Sequence, residues 1–198
     1  MTFDADRDVA AYGRRARGYE RGPRGLLHRE IQRRVGVLAL SLVAGTPEAR
    51  ILDVGCGSGA LLRFLGPARP DVELTGVDPA ADMVREAASA RATVLRARAE
   101  ELPFADGSFD LLVSSTSFSH WQDHAAGLAE CHRVLTPGGS LVLADVFASR
   151  PLPRPVFGPG GTEGSKERAD AAIRAAGFGA PSWRPLLATV ICAAVAER

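Results

Sequence analysis

The stretch Ile51-Leu52-Asp53-Val54-Gly55-Cys56-Gly57-Ser58-Gly59 runs an apolar strand into glycines at every second position. Glycines placed so let the backbone turn tightly and let a ligand approach main-chain atoms that a Cβ would shield. Asp53 puts a carboxylate at the carboxyl end of the strand, beside that opening. Taken alone the pattern is weak. Gly55-Cys56-Gly57-Ser58-Gly59-Ala60 also satisfies the relaxed dinucleotide fingerprint GxGxxA, and any one glycine could simply turn the chain. What flanks the stretch decides its meaning.

Downstream, a helix begins near Gly59 and a second strand, Glu73–Val77, ends on Asp78, 23 residues after Gly55. In nucleotide-binding α/β folds an acid at this place accepts hydrogen bonds from ribose hydroxyls. A carboxylate suits the task because it only accepts and can take two O–H donors at once. Asp78 could equally cap the helix Pro79–Ala90, in which Pro79 fits the first turn. Short strands follow at Thr93–Arg96 and Phe109–Ser115. Asp123 is an N-cap for a helix His124–Leu135, and Pro137-Gly138-Gly139 leads into a fifth strand, Ser140–Val146. Residues 147–164 hold four prolines and four glycines and read as a loop. A helix Ser165–Ala176 ends at Gly177, and strands near 181–187 and 189–196 close the chain. They are joined too tightly for a parallel crossover and must form an antiparallel hairpin.

Upstream, residues 4–20 and 25–44 read as two helices split by Gly22-Pro23 and Gly25. In the second, Leu27, Ile31, Val35, Leu38 and Leu42 follow helical spacing. Strand–helix alternation in the rest makes this an α/β protein, a parallel sheet with helices on both faces. The organisation is a single domain: N-terminal helices over 1–46, acting as a lid, and a core over 47–198.

Composition narrows the function classes. The 198 residues fit one domain, with 46% hydrophobic and 24% charged residues. A net charge of +1 gives no basic face for nucleic acid. Residues 1–34 nonetheless carry nine arginines against five acids, read as a solvated helix face. No apolar run approaches a membrane span and the start lacks a signal-peptide core, so the expected location is cytoplasmic, with no membrane partner. Cys56, Cys131 and Cys192 lie far apart without CxxC pairing, and are expected to be buried small hydrophobes rather than disulfides or metal ligands. No metal site is expected.

Several further blocks keep order and spacing with the glycine stretch: Val77-Asp78 with Met83, Ala99-Glu100-Glu101-Leu102-Pro103-Phe104-Ala105-Asp106-Gly107-Ser108-Phe109-Asp110, His120, and Glu130-Cys131-His132-Arg133-Val134-Leu135-Thr136-Pro137-Gly138-Gly139. Over roughly residues 8–146 the chain resembles class I S-adenosylmethionine-dependent methyltransferases, particularly the small-molecule, methyltransferase type 11-like group. The resemblance implies a Rossmann-like three-layer sandwich whose seven-stranded sheet has the order 3-2-1-4-5-7-6, the last strand antiparallel. It implies S-adenosyl-L-methionine as cofactor, S-adenosyl-L-homocysteine as product, and methyl transfer to a small-molecule acceptor of the kind met in secondary metabolism. The alternative is a regulatory or non-methylating protein that keeps the cofactor pocket.

The resemblance also implies roles. Asp53 and the backbone around Gly55, Cys56 and Gly57 hold the methionine moiety. Asp78 holds the ribose, Pro79 and Met83 pack on the adenine, and Ala99 and Glu100 meet its edge. Ser115 and Thr116 lie beside the sulfonium, and Tyr19 covers the cofactor from the N-terminal helix. His120 is the candidate general base, since a neutral imidazole can take a proton near pH 7; the other reading is that His120-Trp121 packs under the cofactor or caps the helix at Asp123. His124 and His132 read as surface or packing residues, Asp106 as a turn residue and Glu130 as a helix-surface residue. Two departures stand out. Relatives often carry an acid just before Ala99, where this chain has Arg98. Many also have a substrate-capping insert where this chain has only the loop 147–164. The acceptor site is then open, lidded by the N-terminal helices, or completed by the second subunit of a homodimer.

Overall fold

The computed structural model describes residues 22–88, 90–147, 166–187 and 191–198. Strands β1 (Arg50–Val54), β2 (Glu73–Val77), β3 (Thr93–Leu95), β4 (Phe109–Ser115), β5 (Leu135–Val146), β6 (Ser182–Leu187) and β7 (Ile191–Glu197) form one sheet. Its order is β3-β2-β1-β4-β5-β7-β6. The pairs from β3 to β5 are parallel, and β7 runs antiparallel to both β5 and β6. Helices α1 (Gly22–Leu42), α2 (Ala60–Ala68), α3 (Ala81–Ala87), α4 (His124–Val134) and α5 (Lys166–Ala175), with a 3-10 turn at Phe118–His120, cover the faces. This is the expected Rossmann-like sheet. The expected helix 4–20, with Tyr19, and nearly all of the loop 147–164 lie outside the described residues.

Strands covered on both faces must be apolar on both, and β1 and β4 are. Leu52 and Val54 of β1 join Leu112, Leu141 and Leu143 under α4 and α5, which contribute Leu128, Cys131, Val134 and Ile173. Ile51 joins Leu111, Val113, Val142 and Ala144 under α1 and α2, which contribute Ile31, Val35, Leu61, Leu62 and Leu65. All three cysteines are free and buried in these layers. No helix among the described residues is long and apolar enough to cross a membrane.

Three local differences from the sequence reading have clear causes. First, α1 starts at Gly22 and runs through Gly25 instead of beginning there. Pro23 falls in the first turn, where a missing N–H costs nothing. The stripe that α1 buries is Ile31, Val35 and Ala39, continued by Val43 just past its end, whereas Leu42 is 37% exposed. The segment 22–43 is thus part of the core packing. Second, α3 is shorter than expected, because the Asp78 Oδ1 carboxylate oxygen accepts from Ala80 N at 2.9 Å and holds Asp78-Pro79 outside the helix. Pro79 therefore precedes the helix rather than occupying its first turn. Third, β5 begins at Leu135. Leu135 pairs with Phe109 and Ser140 with Leu111, so the extra residues Thr136–Gly139 bulge out of the ladder.

Candidate functional site

The carboxyl ends of β1, β2 and β4 meet where the strand order reverses direction about β1, the place where open α/β sheets leave a crevice. Here the crevice is a cleft open to solvent, the kind of concave site in which small molecules bind. Of the thirteen sequence-predicted site residues, twelve line it: Asp53, Gly55, Cys56, Gly57, Asp78, Pro79, Met83, Ala99, Glu100, Ser115, Thr116 and His120. Tyr19 lies outside the described residues.

The floor is built from the glycine loop. Val54 ends β1, and the next two amides, Gly55 N and Cys56 N, both donate to Val77 O at 2.8 and 2.9 Å. Gly55 has φ +76, and a Cβ there would stand 2.2 Å from Ser117 Oγ. That close approach lets Ser117 Oγ donate to Val54 O at 2.9 Å and contact Ser114 Oγ at 2.8 Å, tying β1 to the exit of β4. Gly57 N donates to Asp78 Oδ2 at 2.9 Å. The amides of Gly55, Cys56 and Gly57 are therefore already engaged within the protein, and the loop lines the cleft without offering these N–H groups as open donors.

Two carboxylates sit in this floor. Asp78 is buried, and each of its oxygens accepts one backbone N–H, leaving further lone pairs for a ligand. Burial raises its pKa, and the bonds from Ala80 and Gly57 work against that rise. Asp53 is 2% exposed. Burial, with the neighbouring Asp78 charge adding to it, pushes Asp53 up to about 8. A carboxyl in that state is held short of a positive partner, and a cationic ligand would return it to the ionised form. Burial likewise pushes the Cys56 thiol up, which leaves it inert as a nucleophile.

The wall opposite is the exit of β4. Thr116 has φ +55, a left-handed conformation that is unfavourable for a β-branched residue. It is held there by Thr116 N donating to Ala144 O at 2.7 Å and Thr116 Oγ1 donating to Ser115 O at 2.7 Å. Ser115 Oγ is buried without a hydrogen-bond partner. The turn Phe118–His120 then brings His120 to the cleft. It is pinned by Asp145 at the end of β5, whose Oδ2 accepts from Ser119 N at 3.0 Å. Trp121 packs into the core against Phe118 and over Gly127, where a Cβ would meet its ring at 2.5 Å.

Other predicted residues have structural work the sequence did not reveal. Glu100 Oε1 accepts from Gln122 N at 2.6 Å and Asp123 N at 3.0 Å, fixing the rim loop ahead of α4. Asp123 caps α4 as expected, accepting from Ala125 N and Ala126 N. Glu130 is more than a surface residue. It accepts from Leu102 N and from the Arg133 guanidinium, while Arg133 donates to Leu102 O, Phe104 O and Asp106 Oδ1. These bonds clamp the segment 99–106, and through it the Ala99–Glu100 wall, onto α4. Arg98 also lines the cleft. His124 and His132 are packing residues, against Phe118 and Phe178.

The sequence reading missed His28 and Gln32, which reach the cleft from α1. One turn apart, they share a helix face, with Gln32 Nε2 and His28 Nε2 3.1 Å from each other. A polar pair at i and i+4 beside an apolar stripe was the available signal.

The donor set fits a cofactor with a cationic sulfonium and an amino-acid tail: two buried carboxylates, an unpartnered hydroxyl, and an apolar wall at Met83. Comparison with known proteins agrees. Residues 52–143 match the methyltransferase domain family. The chain is 34% identical over 147 residues to a malonyl-[acyl-carrier protein] O-methyltransferase of Pseudescherichia vulneris, covering 73% of this chain and 55% of that one. It is 37% identical over 126 residues to a demethylmenaquinone methyltransferase of Thermus thermophilus, covering 61% and 56%. It thus spans about half the length of these curated relatives. A crystal structure of a S-adenosylmethionine-dependent methyltransferase from Thermotoga maritima superposes with a TM-score of 0.72 at 22% identity, over 95% of this chain and 98% of that one, which speaks for the fold. The strand order, the cleft and the matched segment agree: residues 52–143 carry a methyltransferase domain, on a fold shared with S-adenosylmethionine-dependent methyltransferases.

Proposed function

We propose that the protein binds S-adenosylmethionine in this cleft and transfers its methyl group to a small-molecule acceptor. The observation that carries the proposal is the pair of buried carboxylates, Asp53 and Asp78, facing one cleft with Asp53 lacking a compensating positive charge. A second buried acid would repel the anionic pyrophosphate of a dinucleotide, whereas it favours a cationic ligand.

In this reading Asp78 receives the ribose hydroxyls on the lone pairs that Gly57 N and Ala80 N leave open. Pro79 and buried Met83 form the apolar wall for the adenine, and Ala99 and Glu100 its edge, with Tyr19 contributing from the N-terminal segment. Asp53 and the backbone around Gly55, Cys56 and Gly57 hold the methionine end. Ser115 and Thr116 place oxygen atoms beside the reacting methyl group. The cofactor supplies a methyl group on a sulfonium, an excellent leaving group, so the chain's own contribution is chiefly positioning and exclusion of water. His120 stands where an acceptor proton could be taken up, and Asp145 holds its turn in place. The acceptor is a small molecule of the kind met in secondary metabolism. The protein acts in the cytoplasm, with no nucleic-acid partner.

Calorimetric titration with S-adenosylhomocysteine and with NAD tests the cofactor, and labelled S-adenosylmethionine against phenols, amines and carboxylic acids tests the transfer. Binding of the first ligand only, followed by label transfer, is expected. Binding without transfer to any acceptor would favour a regulatory role, and NAD binding would overturn the reading.

A further inference from the structure

The cleft contains a buried hydrogen-bond acceptor that the cofactor roles above do not use. Gln32 is 6% exposed, yet its side-chain Oε1 has no hydrogen-bond partner, and the residue lines the cleft. The same amide is not loose. Its Nε2 lies 3.1 Å from His28 Nε2, one helical turn back. With the amide nitrogen donating to that ring nitrogen, the oxygen is turned away from His28.

The position is rigid for independent reasons. Ile31 and Val35 on either side of Gln32 are buried in the core, and Gly36 packs so closely on Phe64 that a Cβ would meet the ring at 2.3 Å. Arg34 anchors the same turn by donating to Leu186 O at 2.5 Å. The strands against which α1 packs include β4, β5 and β6. Gln32 therefore approaches the cleft from the helix layer, on the flank that carries Ser115, whose hydroxyl is also buried and unpartnered. A helix that packs through Ile31 and Val35 gains nothing for its own folding from an amide oxygen buried this way, because such a group is stabilised only when a donor reaches it.

We propose that Gln32, oriented by His28, is a ligand-binding residue whose amide oxygen accepts a hydrogen bond from a protonated amine or a hydroxyl of the bound small molecule. Two sources share that chemistry: the α-ammonium of the cofactor's amino-acid tail, and an N–H or O–H group on the methyl acceptor. The proposal rests on the cleft being the cofactor and acceptor site.

Calorimetric titration of the full chain decides it, using wild type, Gln32→Leu and Gln32→Glu, each checked for native circular dichroism, with Gln32→Met replacing leucine if that variant unfolds. The probes are S-adenosylhomocysteine and 5′-methylthioadenosine, which lacks the amino-acid tail. Ligand-observed NMR on the S-adenosylhomocysteine-loaded protein then compares phenol with anisole and benzyl alcohol with benzyl methyl ether. If the tail is the donor, Gln32→Leu weakens S-adenosylhomocysteine about tenfold, the usual worth of one buried hydrogen bond, and leaves methylthioadenosine unchanged. If the acceptor is the donor, nucleoside affinity holds and the preference for the hydroxyl member of a pair disappears. In either case Gln32→Glu, which keeps an accepting oxygen, retains the effect. An unchanged affinity for both nucleosides together with an unchanged or absent hydroxyl preference overturns the proposal. Failure of wild type to bind S-adenosylhomocysteine would instead sink the methyl-transfer reading, and the hydroxyl pairs on the unloaded protein would then judge Gln32 alone.

Discussion

The two flanks of the cleft are built on opposite principles. On the β1–β2 flank the backbone is internally satisfied: Gly55 and Cys56 donate to Val77 O, Gly57 donates to Asp78, and Asp78 also accepts from Ala80. On the β4–α1 flank Ser115 Oγ and Gln32 Oε1 are buried without partners, and Thr116 is held at φ +55. The first flank is a preformed cradle that holds its shape without a ligand. The second carries polar atoms and strain that become useful only when something is bound. Rigid recognition of an invariant cofactor and adaptable recognition of a particular acceptor would divide in this way.

The sharpest way to break the cradle is Gly55→Ala. The added Cβ falls on Ser117 Oγ and the residue must keep a positive φ, so the loss should be about 3–4 kcal/mol from left-handed strain and overpacking together. Thermal or urea unfolding reads it. A loss under about 1 kcal/mol would mean the loop relaxes freely and is no cradle.

The next effect is one of pH. With Asp53 raised to about 8 by burial and by Asp78, the folded state holds a proton that the unfolded state has already released. The stability it contributes is full below the unfolded carboxylate value near 4 and is lost as pH rises towards 8, by up to about 1.4 kcal/mol per pH unit. Glu30, Asp71, Asp110 and Glu130 have lowered values and act in the opposite sense. The comparison of Asp53→Asn with wild type isolates the residue. The variant should gain relative stability steadily from pH 5 to pH 8 and bind S-adenosylmethionine less well. A flat difference across that range would show that Asp53 is ionised throughout.

Asp78→Ala should weaken S-adenosylhomocysteine binding by about 1.5–3 kcal/mol, the range for hydrogen bonds to a charged group. Calorimetry measures it, and an unchanged affinity would reduce Asp78 to a brace for Gly57 and Ala80. The smallest effect belongs to the strained flank. Thr116→Gly removes left-handed strain of about 1–3 kcal/mol and adds unfolded-chain entropy of about 1 kcal/mol, for a net gain near 1 kcal/mol in stability. Melting temperature should rise while methyl transfer falls. A lower melting temperature would place the worth of Thr116 in its contacts rather than its conformation.

The cradle was legible because its chemistry is local. Asp53, the glycines and Asp78 lie at strand ends a fixed interval apart along the chain, and the parallel pairing of β1 with β2 across one helix brings them together. The other flank was legible only where motif spacing reached it, at Ser115, Thr116 and His120. Gln32 was passed over because a single glutamine beside Ile31 and Val35 looks like any solvent-facing helix residue until the helix is docked. Glu130 was misread for a related reason: Arg133 is its helix neighbour, but Leu102 N, which it accepts from, lies 28 residues away in the chain.

The sequence by itself determined the alternation of strands and helices, the closing antiparallel hairpin and the acids at the strand ends, because periodicity, turn residues and motif spacing are properties of short segments; the strand order came only through the family resemblance. Tertiary structure alone decided which oxygens are buried and which of them find a partner. It set the stripe of α1 at Ile31, Val35 and Ala39, with Val43 just past its end, rather than at Leu42, and so turned Gln32 towards the cleft. It raised Asp53 by enclosing it with a second carboxylate. Burial and electrostatic neighbourhood are sums over contacts from distant parts of the chain, and no window of sequence contains them.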